Sequence, residues 1–343
     1  MENIVFTTDV DKTLAGLLQD VGQERLFVVA DKNTVVFCDK LLEKVDWTPL
    51  NMAVVDCGEE HKSLESVVDI WSLLSRRGAR RSSVLLCVGG GTVTDMGGFA
   101  AATFKRGMRC INIPTTLLAQ VDASVGGKTG FNFRGLKNEI GVFAEPEQVI
   151  ISPRFLSSLP REQFLSGLAE MLKHGLLSDE EHLERVMAHV NGPVESADFL
   201  RLVRDSVSVK ERIVRQDPRE KGARKALNFG HTIGHAIESL SLSSDCPLLH
   251  GEAVALGIRA ELYLSVRKKG FPSSCYGRIR DFVCQYYPVR SFESQVDALL
   301  ELMMHDKKNE QDGINFTLLE EIGKFSINNY CTPEEIKEAL LGN

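Results

Sequence analysis

At 343 residues the chain is longer than one hydrophobic core ordinarily serves, so two domains are expected. Its composition, 43 % hydrophobic and 25 % charged with no biased tract, is that of a folded globular protein and excludes a disordered or fibrous chain. A net charge of −7 without a basic block argues against nucleic acid or an anionic membrane as partner, and no apolar run has the length of a membrane span.

Up to about residue 150 short β-type runs alternate with amphipathic stretches. Strands are expected at 25–30, 51–55, 84–88, 110–113 and 148–151, with helices including 63–77 and 95–103. Such βα alternation predicts a mostly parallel sheet with helices on both faces. Beyond Pro153 helical periodicity takes over, at 162–177, 180–190, 198–214, 232–239, 252–268 and 293–305. Only 315–319 reads as extended there, and Thr332-Pro333 starts a last helix, since threonine caps and proline fits the first turn. The expected division is an α/β domain at 1–152 and an all-α domain at 153–343. The eight cysteines form no CxxC pair and several lie in apolar runs, which fits a reducing cytoplasm.

Three stretches carry chemistry. In the first, Cys57-Gly58-Glu59-Glu60-His61-Lys62 follows a strand and offers carboxylates for ribose hydroxyls and a lysine for a phosphate. Val88-Gly89-Gly90-Gly91-Thr92-Val93-Thr94-Asp95 then reads strand, glycine turn, helix start. There the backbone can approach a phosphate and free amides favour negative charge, with Asp95 a candidate cap. The spacing is not GxGxxG, and three glycines alone are equally compatible with a tight βα turn. The second stretch runs from Arg106 through Thr115, Thr116, Asp122 and Lys128 to Lys137 and Asn138. Beyond the strand at 110–113 it reads as a long glycine-rich loop in which Gly126 and Gly127 aim Lys128, a kind of segment that is usually functional.

The third stretch is Leu227 to Glu238, with His231 and His235 one helical turn apart on one face. His250-Gly251-Glu252 follows, and Glu170 with Lys173 precedes it. Imidazoles with a carboxylate are a zinc-type donor set. From the residues alone, His231 pairs with His235.

The segments GGGTVTD, PTTLLAQVDASVGGKTG, KNEIG, AEMLK, LNFGHTIGHAIE, HGEAVALGI and Asp306-Lys307-Lys308 occur in the order and approximate spacing of the 3-dehydroquinate synthases, sugar phosphate cyclases. The chain resembles that family over nearly its whole length. The resemblance implies an N-terminal Rossmann-like NAD-binding domain, a helical C-terminal domain with Zn2+ or Co2+, and a cytoplasmic homodimer. It implies metal ligands Glu170, His231 and His250, with His235 facing substrate instead. NAD contacts would be Glu59, Lys62, Gly90, Gly91, Asp95, Thr115, Thr116, Lys128, Lys137, Phe155, Leu156, Ser157 and Ser158. Substrate would meet Arg106, Asp122, Lys128, Asn138, Lys173, Lys210, Arg224, Asn228, His235 and Lys307 or Lys308. Of these, Lys128, Asn138, Lys173, Lys210, Arg224, Asn228 and His235 would be catalytic.

The implied substrate, 3-deoxy-D-arabino-heptulosonate 7-phosphate, carries a carboxylate and a phosphate. Gathered cations would answer both in an otherwise acidic protein. The implied reaction of the shikimate pathway is transient oxidation at C5 by NAD, phosphate elimination, reduction, ring opening and aldol closure to 3-dehydroquinate. Two other activities share the scaffold: a sister cyclase acting on sedoheptulose 7-phosphate, and a metal-dependent polyol dehydrogenase.

Overall fold

The computed structural model describes residues 3–134, 136–242, 244–288, 290–304 and 313–341. The chain forms two compact units, Met1–Leu159 with Pro193–Arg204, and Pro160–Gly192 with Asp205–Asn343. The border expected after residue 152 thus falls later. The 3-10 turn Pro153–Ser158 buries Phe155 and Leu156, and the Phe155 ring meets Phe37 edge-on at 5.3 Å, so the chain stays in the first unit through this turn. The segment Pro193–Arg204 also belongs there; Arg204 lies over the ring of Phe6.

The first unit runs β1 (Ile4–Phe6), α1 (Val10–Leu18), β2 (Leu26–Asp31), α2 (Val35–Leu41), β3 (Met52–Val55), α3 (Leu64–Arg76), β4 (Val84–Gly89), α4 (Gly91–Thr103), β5 (Arg109–Pro114), β6 (Lys128–Phe133), β7 (Leu136–Phe143) and β8 (Gln148–Ile151). Six strands pair in parallel in the order β1-β8-β5-β4-β2-β3. Alternation along the central strands builds a core on each face. Leu26, Val28, Ala30, Val84, Leu86 and Val88 face Val10, Leu14 and Leu18 of α1 and Cys38 and Leu41 of α2. Phe27, Val29, Leu85 and Cys87 face Val67, Ile70 and Leu74 of α3 and Val93, Met96 and Ala100 of α4. The order reverses between β2 and β4, and the glycine turn lies at the carboxyl end of β4, where open α/β sheets bind ligands.

The segment expected as a loop is instead a π-helical turn, Ala119–Ala123, and the antiparallel hairpin β6–β7. Its glycines serve strand packing. A Cβ on Gly130 would stand 2.3 Å from the Ile140 carbonyl oxygen, and one on Gly141 2.4 Å from that of Thr129.

The second unit runs α5 (Arg161–Leu176), α6 (Glu180–Ala188), α7 (Ala197–Gln216, its first turns in the first unit), α8 (His231–Ser241), α9 (His250–Lys269), α10 (Ser273–Tyr286), α11 (Val296–Met304), β9 (Ile314–Glu321), β10 (Lys324–Cys331) and α12 (Pro333–Leu341). Helix α9 is buried along most of its length and packs on α5, α8, α10, α12 and β9. This unit is therefore not all-α. The expected 315–319 run pairs antiparallel with β10, which is only half-buried and carries Asn328 and Asn329 at a register shift, so no apolar alternation announces it.

Candidate active site

In the second unit Glu170 lies fully buried on α5, and Lys173, one turn on, places its ammonium on Glu170 Oε2. His231 opens α8 and His250 opens α9. Their Nε2 atoms lie 3.3 and 3.5 Å from Glu170 Oε1. His235 joins them: its ring centre is 5.1 Å from that of His231 and 5.7 Å from that of His250, and one ring nitrogen of each of the three falls within a 4.8 Å span. His231, His235 and His250 thus gather in one cluster, with Glu170 against two of the three rings. His235 is the exposed ring of the three.

Two close approaches bring these helices together. Gly251 N donates to Ser166 Oγ at 3.0 Å, and a Cβ on Gly251 would stand 1.9 Å from the Ser166 carbonyl oxygen, which locks α9 to α5. A Cβ on Gly257 would stand 2.0 Å from Gly230 O, which locks α9 to α8. Gly230 has φ +79°, a left-handed conformation that glycine adopts without strain, and offers no side-chain cap. The cap comes from α9. Buried Glu261 accepts from Gly230 N at 2.7 Å and from Ile233 N at 3.2 Å, an anion on the first-turn amides of α8. No reading of the sequence singled out Glu261; it lies 31 residues from Gly230 and declares itself only in space.

Each ligand-type imidazole has its other nitrogen engaged, His231 Nδ1 with Phe229 O at 3.1 Å and His250 Nδ1 with Glu238 Oε2 at 3.3 Å. Burial alone would raise the Glu170 carboxyl, but Lys173 and His231 outweigh it and hold Glu170 well below the usual carboxylate range. Burial and the neighbouring Lys173 push His231 down. Burial also acts downward on His250, yet its bonds to Glu170 and Glu238 prevail and it is pushed up to about 10. Both Glu170 oxygens are buried without a hydrogen bond of ordinary geometry. A carboxylate so placed, between two oriented imidazoles, fits a divalent cation, which would exchange with the proton on His250.

Arg224 and Asn228 lie on a 3-10 turn, Ala223–Asn228. Asp217 shapes the loop before it by accepting from the backbone amides of Lys221, Gly222 and Arg224. The buried Arg224 guanidinium donates to Pro218 O at 2.9 Å, and Asn228 Nδ2 to Glu220 Oε1 at 2.9 Å. Lys210 is buried on α7. Lys307 and Lys308 lie outside the described residues, as does His305 at the end of the expected 293–305 helix.

In the first unit α4 starts at Gly91 with Gly90 as an N-cap that supplies no side chain. Asp95 does not cap it. Its Oδ2 instead takes Lys62 Nζ at 2.6 Å, and the same ammonium donates to Asn138 Oδ1 at 2.5 Å. Lys62 is therefore buried in a polar triad and not extended into solvent. Asn132, which sequence reading passed over, organises this group. Its side chain donates to Glu59 O and Oε1 and accepts from Asn138 N, and its own amide donates to Lys62 O. The glycine turn is packed closely, since a Cβ on Gly90 would stand 3.2 Å from Thr116 Cγ2. Thr115 N donates to Gly89 O, and Thr116 Oγ1 accepts from Ala119 N.

Other expected residues spread more widely. Lys128 starts β6 opposite Phe143, whereas Lys137 and Asn138 sit near the far end of the hairpin. Asp122 is in the π-helical turn, and Arg106 is exposed with φ +65° beside Gly107. Phe155 and Leu156 are core side chains, leaving Ser157 and Ser158 exposed.

Residues 52–166 match the family model of the 3-dehydroquinate synthase N-terminal region, and residues 167–309 that of the C-terminal region. The 3-dehydroquinate synthase of Parabacteroides distasonis is 49 % identical over 341 residues, covering 99 % of this chain and 97 % of that protein. Among solved structures, ValA, the 2-epi-5-epi-valiolone synthase of Streptomyces hygroscopicus with NAD+ and Zn2+ bound, superposes with a TM-score of 0.87. It is 26 % identical, covering 98 % of this chain and 95 % of that one. A 2-deoxy-scyllo-inosose synthase complexed with carbaglucose-6-phosphate, NAD+ and Co2+ gives a TM-score of 0.85 at 25 % identity, covering 99 % and 96 %. With both halves matched and a relative of this identity along its length, the chain belongs to the 3-dehydroquinate synthase family.

Proposed function

We propose that the protein converts 3-deoxy-D-arabino-heptulosonate 7-phosphate into 3-dehydroquinate and inorganic phosphate, as a carbon–oxygen lyase. The observation that carries this reading is the buried Glu170 carboxylate, with two imidazole nitrogens at one oxygen and an ammonium at the other, in a chain related over its full length to an enzyme of that name. When bound, NAD supplies a reversible hydride acceptor for C5 and Zn2+ or Co2+ supplies Lewis acidity at the reacting oxygens.

Glu170, His231 and His250 would hold the ion, a carboxylate and two imidazoles being a zinc-type donor set. Lys173 keeps Glu170 ionised for that task. The exposed His235 is placed to take or return a proton on a ring nitrogen beside these ligands. Lys210 and Arg224 answer the anionic ends of the substrate. In the first unit the uncapped start of α4, with Gly90 and Gly91, would receive the dinucleotide phosphates, with Glu59, Lys62, Asp95, Thr115 and Thr116 as the accompanying contacts. No described helix is long and apolar enough to cross a membrane, and the reading includes a cytoplasmic homodimer.

The test is phosphate release by the purified protein from 3-deoxy-D-arabino-heptulosonate 7-phosphate and from sedoheptulose 7-phosphate, each with and without chelator. Release from the first substrate, abolished by chelator and restored by zinc, is expected. Release from sedoheptulose 7-phosphate alone would replace this reading with that of a sister cyclase, and net NADH accumulation with a diol would indicate a dehydrogenase. Arg224→Ala is expected to raise KM about 10–100-fold, the worth of one charged hydrogen-bonding pair. An unchanged KM would remove Arg224 from the substrate set.

A further inference from the structure

His231, His235 and Glu238 follow one another on α8 at spacings of four and three, so their side chains share one face. Glu238 is only 5 % exposed, although it is a carboxylate. The chain after it folds back. Ser241 Oγ donates to Glu238 O at 2.7 Å and accepts from Leu248 N at 3.0 Å, which returns the backbone toward Glu238 just before His250. Glu238 Oε2 then lies 3.3 Å from His250 Nδ1, while Nε2 of the same ring looks toward Glu170 Oε1. Helix α9 is held independently at this point, because Glu252 accepts from Leu249 N and Ser166 accepts from Gly251 N.

We infer that Glu238 is a positioning residue for the metal site. It keeps the proton of His250 on Nδ1 and turns the Nε2 lone pair toward the ion. The inference rests on the metal reading given above. The two rings are supported differently. His231 has a neutral carbonyl behind it, Phe229 O, whereas His250 has an anion. An anion on the far nitrogen raises the donor strength of the ring as well as fixing its tautomer, so His250 is the stronger imidazole ligand of the pair.

The test is zinc affinity of the full-length protein, measured by competition with a chromogenic chelator. Glu238→Ala is expected to weaken zinc binding about 10–100-fold, with turnover recovered in excess zinc. Glu238→Gln, whose amide oxygen still accepts from Nδ1, is expected to lose less. The visible spectrum of the Co2+-loaded Glu238→Gln protein is expected to differ from that of the native protein, a change that a purely structural role would not produce. Zinc affinity within twofold of native in both variants would overturn the inference; if Glu238→Ala does not fold, Glu238→Gln decides by the same criterion. Native-like zinc affinity in His250→Ala would instead overturn the metal reading itself.

Discussion

Glu170→Gln is expected to lower turnover by more than about a thousandfold, because a ligated cation contributes several kcal/mol at the reacting oxygens. The substitution removes one ligand and the anion that faces Lys173. That lysine would then be a buried ammonium without its carboxylate, and breaking such a pair costs about 3–5 kcal/mol. The variant should therefore lose bound zinc and melt lower than the native protein even when both are metal-free. Glu170→Gln with Lys173→Met should recover part of the melting temperature and none of the activity. The pH dependence has a definite sign. The folded Glu170 carboxyl is held below its unfolded value, so its contribution to metal-free stability is complete above about pH 4–5, where unfolded carboxyls are ionised. It disappears as pH falls through the depressed folded value. Zinc content, phosphate release and melting curves check these outcomes. Turnover within tenfold of native without bound metal would refute the assignment.

Gly257→Ala should be nearly as damaging without touching a ligand. The added Cβ would stand 2.0 Å from Gly230 O and 2.8 Å from Gly234 N, both backbone atoms that cannot rotate aside. Relief requires α8 and α9 to separate by about an ångström to regain van der Waals distance. That movement carries His231 and His235 away from His250. A displacement of this size costs about a hundredfold in rate, and overpacking costs about 1–3 kcal/mol of stability. Gly16→Ala is the control. It lies on the exposed face of α1, nothing stands within 4 Å of its would-be Cβ, and a gain of about 0.4–1 kcal/mol is expected. Equal activity of native and Gly257→Ala proteins would show that the helix contact tolerates expansion.

Sequence reading succeeded where one residue type in one period carries the information. The central strands β2, β4 and β5 are short apolar runs between turns, and the expected ranges meet the observed ones within a residue or so at each end. The residues alone mark imidazoles and a carboxylate near glycines on helical runs and pair His231 with His235. The set Glu170, His231 and His250 follows only from the family resemblance, because spacing along the chain does not say which donors meet in space. The residues that orient them were not. Glu238, Glu261 and Ser166 are unremarkable members of amphipathic helices, and their tasks follow from helix crossings that periodicity does not encode. The β6–β7 hairpin looks like a loop in the sequence because glycines that serve close strand contact look like glycines that serve flexibility. Lys62 reads in the sequence as a lysine for a phosphate, and its meeting with Asp95 and Asn138, which lie 33 and 76 residues further along, is visible only in space.

The parallel sheet has a consequence for how the chain matures on the ribosome. Ile4, Val5 and Phe6 find their hydrogen-bonding partners only at Val149, Ile150 and Ile151, and the same unit takes in Pro193–Arg204. The nascent N-terminal half must wait, with β1 unpaired, until Ile151 has been translated, and its unit is complete only once Arg204 has followed. A stall or truncation shortly after Leu159 would release a polypeptide able to form the nucleotide-type turn yet missing a piece of its own domain, a natural client for chaperones.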